Sequence, residues 1–371
     1  MDAVGIILSN INDRTAPELT YDRTLSAMHY GGKYRLIDFV LSSLMNSAVT
    51  EVAIVTKANY HSLMNHIGTG KEWDLSRKMG GIIVLPSYVY SARNPMYNNR
   101  LEALMGIEKY LFSCNEEYVI LSDGDMVFNI DYDQVLKQHL QTGADITAVY
   151  QKTTIDESVK ATQTAFKLDE NNRVTDIRVL AAPKNENVGL NTWFMRRAYL
   201  LNLVTDAVAH GYRSFTREVL GPNIHEIKVI GYEYQGYFAC MDSVESYFAK
   251  SMELLIPEVR EKLFENPEKP IFTSVKDSPP TKYGDNACIK NSIVADGCII
   301  EGTVENSILF RGVYVGKGTE VQNSIIMEDS ICGENSSLNY IVADKNVILR
   351  NECRLSGQRT HPFYIKKGSV V

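Results

Sequence analysis

The sequence has no apolar run approaching the roughly 18 residues a membrane-spanning helix needs. The segment after Met1, Val4-Gly5-Ile6-Ile7-Leu8, lacks the basic flank and the length of a signal peptide. No membrane association and a cytoplasmic location are therefore expected. Runs of Lys and Arg are missing too, and with a net charge of −7 the chain lacks the concentrated positive surface that neutralises a nucleic-acid backbone. Its six cysteines (Cys114, Cys240, Cys288, Cys298, Cys332 and Cys353) form no C-x-x-C pair. A chain of 371 residues builds its own core without a disulfide framework, so these read as reduced thiols.

What is present is a globular composition, 44% hydrophobic and 22% charged, in a chain long enough for more than one core. Short apolar runs at Val4–Leu8, Glu51–Thr56, Gly81–Leu85 and Tyr118–Ser122 read as buried strands. The amphipathic stretches after them read as crossover helices, giving a βαβ architecture with a mostly parallel sheet. Ligands on such sheets bind beyond the carboxyl ends of the strands, so the loops after Leu8 and Leu121 are where chemistry is expected. After a helical stretch at Ser243–Leu255, the prolines Pro257, Pro267, Pro270, Pro279 and Pro280 mark a linker.

Beyond Asp285 a six-residue rhythm sets in, with units opening on Val294, Ile300, Val315, Val321 and Val342, often followed by a small residue. That period predicts a parallel β-helix in which each short strand buries its aliphatic residue on a common axis. The expected division is an α/β domain over residues 1–255, a Pro-rich linker over 256–284 and a hexapeptide domain over 285–371.

The segment Gly31-Gly32-Lys33-Tyr34-Arg35-Leu36-Ile37-Asp38-Phe39, followed by Leu41-Ser42-Ser43 and Asn46-Ser47, resembles a block of the bacterial and plant glucose-1-phosphate adenylyltransferases (ADP-glucose pyrophosphorylases). Ser278-Pro-Pro-Thr-Lys-Tyr and Asn291-Ser-Ile-Val-Ala-Asp-Gly resemble the start of that family's left-handed β-helix. The resemblance implies a Rossmann-like, GT-A-like nucleotidyltransferase domain followed by a left-handed β-helix, and tetrameric assembly. The implied chemistry joins ATP and glucose 1-phosphate to give ADP-glucose and pyrophosphate, with Mg2+ as cofactor.

Nucleotidyl transfer needs amides and cations around a triphosphate, because the transition state accumulates negative charge. Where the family has a Gly-rich loop, this chain reads Ser9-Asn10-Ile11-Asn12-Asp13-Arg14-Thr15, with no glycine and with Thr15 at the position of the family's Arg. Leu25 stands at the position of a phosphate-binding Lys, and Ala182 at that of the Lys that holds the sugar phosphate. The family's GTADA loop becomes Asn99-Arg100-Leu101-Glu102-Ala103. Asp125 matches one metal-binding Asp, but Cys240 replaces the other, and one carboxylate seldom fixes magnesium. Productive Mg2+ binding is therefore not expected. The pattern resembles the regulatory, GlgD-type subunit that accompanies a catalytic homologue in glycogen synthesis.

Arg23, His29 and Arg35, with Lys33 between them, match family positions implicated in binding anionic effectors such as sugar bisphosphates or AMP. An ion pair of Arg35 with Asp38 at a helix start is the competing expectation. The stretch with Tyr88, Tyr90, Arg93, Tyr97 and Arg100 suits stacking on a nucleotide or a partner, or packing on its own domain. His61 and His66 share a helix without a supporting ligand set. Ile308-Leu309-Phe310 and Tyr340-Ile341 are expected on the outside of the β-helix, available to a neighbour. The expected partner is a catalytic subunit, in a hetero-oligomer or alongside self-association. The alternatives are an active adenylyltransferase using Arg14 and Asp242 as replacements, and a non-enzymatic sugar-phosphate or nucleotide sensor.

Overall fold

A computed structural model of the chain describes residues 1–371 apart from 79, 87–96, 98, 156 and 158, and apart from the side chain of Val208. The contacts divide it into two compact units, each discontinuous in sequence. The first comprises Met1–Ala27, Leu36–Ala239 and Asn266–Phe272, and the second Met28–Arg35, Cys240–Glu265 and Thr273–Val371. Among the described residues, no helix is long and apolar enough to cross a membrane.

The first unit is built on a nine-stranded sheet. Four of its strands, Gly81–Pro86 at the edge, then Glu51–Thr56, Ala3–Leu8 and Tyr118–Asp123, run parallel in that spatial order. The middle two read as near-continuous apolar runs because both faces of a parallel sheet are covered; Val4, Ile6, Ile7, Val52, Ala53 and Ile54 are all fully buried. Beyond Tyr118–Asp123 the sheet turns antiparallel through the long strand Glu186–Arg196, which also pairs with Ile146–Thr153 and Gln163–Leu168. The helix Leu36–Asn46 carries nearly all of its residues buried.

The second unit contains three five-stranded parallel sheets, wound as the parallel β-helix that the six-residue rhythm predicts, of the left-handed hexapeptide type that the resemblance implies. One inward column runs Ile300, Val315, Cys332, Leu349, each paired in register with the next. The core that results is aliphatic and almost wholly buried. Asn291, Asn306 and Asn323 stand at corners with φ of 44, 47 and 46°. Asn tolerates this left-handed conformation better than any other residue with a Cβ. The serine after each of them ties the coils together: Ser292 Oγ accepts from Ser307 N at 3.1 Å, Ser307 Oγ from Ser324 N at 3.1 Å, and Ser324 Oγ from Ile341 N at 3.0 Å.

Two expectations change. The stretch 256–284 is not plain linker: it holds a helix at Pro257–Phe264, opened by proline at its first turn, and the first β-helix strand at Lys282–Tyr283. Ile308, Leu309, Phe310 and Ile341 are buried, not external. The hairpin within Met28–Arg35 covers this side of the coils, His29 meeting the Phe310 ring edge-on at 5.8 Å. Apolar residues that do face outward include Ile299, Ile331 and Ile348 of a neighbouring sheet, and Phe363.

Candidate functional site

The carboxyl ends of the Ala3–Leu8 and Tyr118–Asp123 strands carry the loops that the sheet topology singles out. After Leu8 the chain leaves the sheet through Ser9-Asn10-Ile11-Asn12-Asp13, and Asn10 is the hub of this loop. Its Oδ1 accepts from Ser9 Oγ at 2.8 Å, Thr56 Oγ1 at 2.6 Å and the Lys57 amide at 3.1 Å. Its Nδ2 donates to the Asp13 carboxylate and to Ala58 O. Asp13 Oδ1 in turn accepts from the Leu25 amide at 2.9 Å. Ile11, where a phosphate cradle needs a residue without a side chain, packs against the apolar core. Side chains of the loop itself thus use donors that a triphosphate would need.

On the other strand end, Asp123 and Asp125 are both buried. Arg100, at the start of the Arg100–Gly106 helix, grips Asp123 with both arms of its guanidinium, one of them at 3.1 Å from Oδ1. Asn99 caps that helix, its side chain accepting from the Glu102 amide at 2.9 Å. Asp125 Oδ2 accepts from Asn12 Nδ2 at 2.9 Å, and its Oδ1 meets no donor from another described residue. Burial, with the charges of Asp123 and Asp13, pushes the Asp125 carboxyl up to about 8. Burial likewise pushes Asp13 up to about 6, against the Leu25 and Asn10 hydrogen bonds. Burial also raises Asp123, with Arg100 pulling it back. Lys57, buried at the end of the Glu51–Thr56 strand, donates to Tyr97 O at 3.2 Å, and burial lowers its pKa.

This set does not fit a magnesium site. Magnesium binds charged carboxylates in near-octahedral geometry. Here Asp123 is taken by a guanidinium, one oxygen of Asp125 is taken by Asn12, and burial disfavours charge on the Asp125 carboxyl. Among the described residues, the one His/Cys/Asp/Glu trio with ligand atoms within 4.8 Å of one another is Glu51, Cys114 and Glu116, at the opposite end of the strands. Burial and Glu51 push the Cys114 thiol up to about 12, so it is neutral there.

The other positions named from the sequence fall as follows. Thr15 bonds back to Asn12 O at 2.7 Å, and Arg14 is exposed. Leu25 is fully buried in a 3-10 turn. Ala182 holds a positive φ of 44°, and Lys184 beyond it pairs with Glu157 at the surface. Arg23 is buried, donating to Leu19 O at 3.1 Å. In the second unit, Cys240 is buried and Asp242 fully so, its carboxylate 3.4 Å from Ser246 Oγ beside the Val244–Met252 helix.

His29, Lys33 and Arg35 lie on one small hairpin, His29 paired with Arg35 across a turn in which Gly31 and Gly32 have φ of 59 and 86°. Lys33 lies over the Tyr34 ring at 5.1 Å, exposed to solvent. Asp38 Oδ1 lies 2.5 Å from His66 Nε2, so His66 serves a buried polar pair, while His61 bonds Asn65. Tyr97 is buried and Arg100 is engaged with Asp123, which removes both from a stacking surface; Tyr88, Tyr90 and Arg93 lie outside the described residues.

Sequence reasoning missed the Arg100–Asp123 pair and the Asn10 hub. A signal existed in the extra acidic residue of Asp123-Gly124-Asp125, which needs a cation that no local pattern supplies.

The nucleotidyl transferase family model matches residues 14–177, and the GlmU-like, C-terminal hexapeptide model matches residues 279–361. The chain is 35% identical to the glycogen biosynthesis protein GlgD of Bacillus subtilis (strain 168), over 99% of this chain and 96% of that protein. It is 37% identical to GlgD of Geobacillus stearothermophilus, over 99% and 96% respectively. To the glucose-1-phosphate adenylyltransferase of Fervidobacterium nodosum it is 28% identical, over 99% of this chain and 88% of that enzyme. With the two domains matched in order and the full length aligned, the chain belongs to the family of the glycogen biosynthesis protein GlgD, among the nucleotidyl transferases related to glucose-1-phosphate adenylyltransferase.

Proposed function

We propose that this chain is a regulatory, catalytically impaired subunit that acts by associating with a catalytic glucose-1-phosphate adenylyltransferase homologue and modulating it. The observation that carries the reading is the self-satisfied strand-end site. Asn10 and Asp13 use the Lys57 and Leu25 amides, Arg100 occupies Asp123, and Asn12 holds Asp125, whose pKa burial raises. Adenylyl transfer needs donors aimed at developing negative charge, and each such group is worth about 10²–10³ in rate. This site instead concentrates acidic side chains.

The rescue by Arg14 and Asp242 finds little support. Arg14 is exposed, and Asp242 is fully buried with its amide and carboxylate both on Ser246. A sensor acting without a family partner lacks a specific observation in its favour.

The test measures pyrophosphate release from ATP and glucose 1-phosphate by this chain alone, by a catalytic homologue alone, and by the two mixed after co-purification. The expected result is turnover by the single chain at least about 10³-fold below the catalytic homologue, with a changed rate or effector response on mixing. Ordinary turnover by the single chain sinks the impairment. Failure to co-purify, with no kinetic change on mixing, sinks the regulatory role.

A further inference from the structure

The Met28–Arg35 hairpin and the hexapeptide coils, both in the second unit, meet around one buried carboxylate that the strand-end site does not involve. The in-register pairs Ile293↔Ile308, Ile308↔Ile325 and Ile325↔Val342 set the alignment of the coils. Three residues further on, that alignment stacks Asp296, Arg311, Glu328 and Lys345 at one corner of successive turns. The backbone bonds from Gly312 N to Asp296 O, Asp329 N to Arg311 O and Asn346 N to Glu328 O hold the stack. Charge alternates down the column.

Glu328 is the deepest member, 4% exposed. Lys345 Nζ lies 2.6 Å from its Oε2, Lys276 Nζ 3.4 Å and His29 Nε2 3.4 Å. Arg311, itself 8% exposed, stands one coil away, its Nε buried and 3.9 Å from Asp296. Burial works against charge on Glu328, but the His29 imidazole and the Lys345 ammonium outweigh it and hold the carboxyl well below its usual range.

Two lysines and a histidine converging on one carboxylate from separate elements is an arrangement that also suits phosphoryl oxygens. In this chain the anion at that point is a side chain. We propose that Glu328 is a resident anion closing an oxyanion pocket formed by His29, Lys276 and Lys345, so that the chain holds this pocket in its filled form without a phosphorylated ligand. A carboxylate already fixed among its cations loses no association entropy, so free phosphate competes at a disadvantage. Removing the charge at Glu328 should uncover a phosphate site. The inference does not rest on the regulatory reading, since its test uses the chain alone.

The experiment titrates inorganic phosphate into wild type, Glu328→Gln and the double variant Glu328→Gln/Lys345→Gln by calorimetry, at constant ionic strength set with chloride. Thermal melts of each are taken in both salts. The expected result is phosphate affinity at least about tenfold higher for Glu328→Gln than for wild type, lost again in the double variant. Phosphate, and not chloride, should also raise the melting temperature of Glu328→Gln by several degrees, as binding to the folded state alone requires. If Glu328→Gln is unfolded in chloride, phosphate should restore its melting transition. Equal binding by wild type and Glu328→Gln overturns the proposal. So does a folded Glu328→Gln that takes no phosphate, or one that phosphate fails to refold.

Discussion

Replacing Asp125 with Asn should stabilise the protein at alkaline pH and leave it little changed at acidic pH. The wild-type carboxyl is buried, receives one hydrogen bond from Asn12, and sits beside Asp123 and Asp13. Its pKa rises from 3.8 to about 8 on folding, with burial as the leading cause. The sign follows directly. Between these values the folded state holds a proton that the unfolded chain has released, so stability falls as pH rises through the window and is lowest above about 8. At about 1.4 kcal/mol per pH unit the full displacement sets a ceiling of roughly 6 kcal/mol. Water entry and turning of the Asn12 amide reduce that to on the order of 2–3 kcal/mol, because buried charges in proteins relax their surroundings. Asn keeps the shape and the acceptor for Asn12 but cannot ionise. Melting curves from pH 5 to 9 should show the variant level with wild type near pH 5. By pH 8.5 it should be about 4–12 °C more stable, at roughly 2–4 °C per kcal/mol for a unit of this size. Adding 10 mM MgCl2 should leave that gap unchanged, since the site does not fit the ion. A gap that is constant across pH, or a wild type that gains stability toward pH 8.5, refutes the argument. So does magnesium closing the gap.

Arg100→Leu should cost about 3–5 kcal/mol by leaving Asp123 buried and uncompensated, and Arg100→Leu/Asp123→Leu should recover most of it in the same denaturant titration. Acidification should weaken the second unit first around Glu328. Its pKa is depressed on folding, so its contribution is complete above the unfolded value of 4.5 and is lost as pH falls below that; Glu328→Gln should flatten this acid limb in circular-dichroism melts. Asn323→Gly should be near neutral and Asn323→Val should cost about 1–2 kcal/mol, because the corner requires a φ of 46° that a β-branched residue resists. Chemical denaturation reads both.

Much of the architecture could be read before any coordinates. The apolar runs at Ala3–Leu8 and Tyr118–Asp123 are long, uninterrupted and bounded by polar loops, which only a strand covered on both faces requires. The hexapeptide rhythm is equally local, because each coil repeats the same burial problem. What could not be read was membership. Met28–Arg35 lies between two segments of the first unit yet groups with the β-helix. The Tyr247 hydroxyl donates to His29 O at 2.8 Å across 218 residues, and no periodicity encodes such a bond. The same omission misplaced Phe310, which meets His29 of a hairpin remote in sequence. Leu309 turns inward instead, into the aliphatic core of the coils.

The site shows a sharper version of the same asymmetry. Losses are visible in one dimension: a loop without glycine, Leu25 and Ala182 where cations are wanted, Cys240 where a carboxylate is wanted. Replacements are visible only in three. Asn10, Asp13, Arg100 and Asp123 each look like surface polar residues in sequence, yet Asn10 pairs with Asp13 and Arg100 with Asp123. A buried pocket that merely decayed would hold unpaired donors and acceptors, each costing about 1–3 kcal/mol. Among the described residues, this one pairs Asn10 with Asp13 and Arg100 with Asp123, leaving one oxygen of Asp125 and the Thr24 hydroxyl as its unmatched groups. The glycine cradle was therefore exchanged for an interlocked polar core, and restoring glycines at Asn10 and Asp13 without removing Arg100 would remove that core without creating a place for the triphosphate.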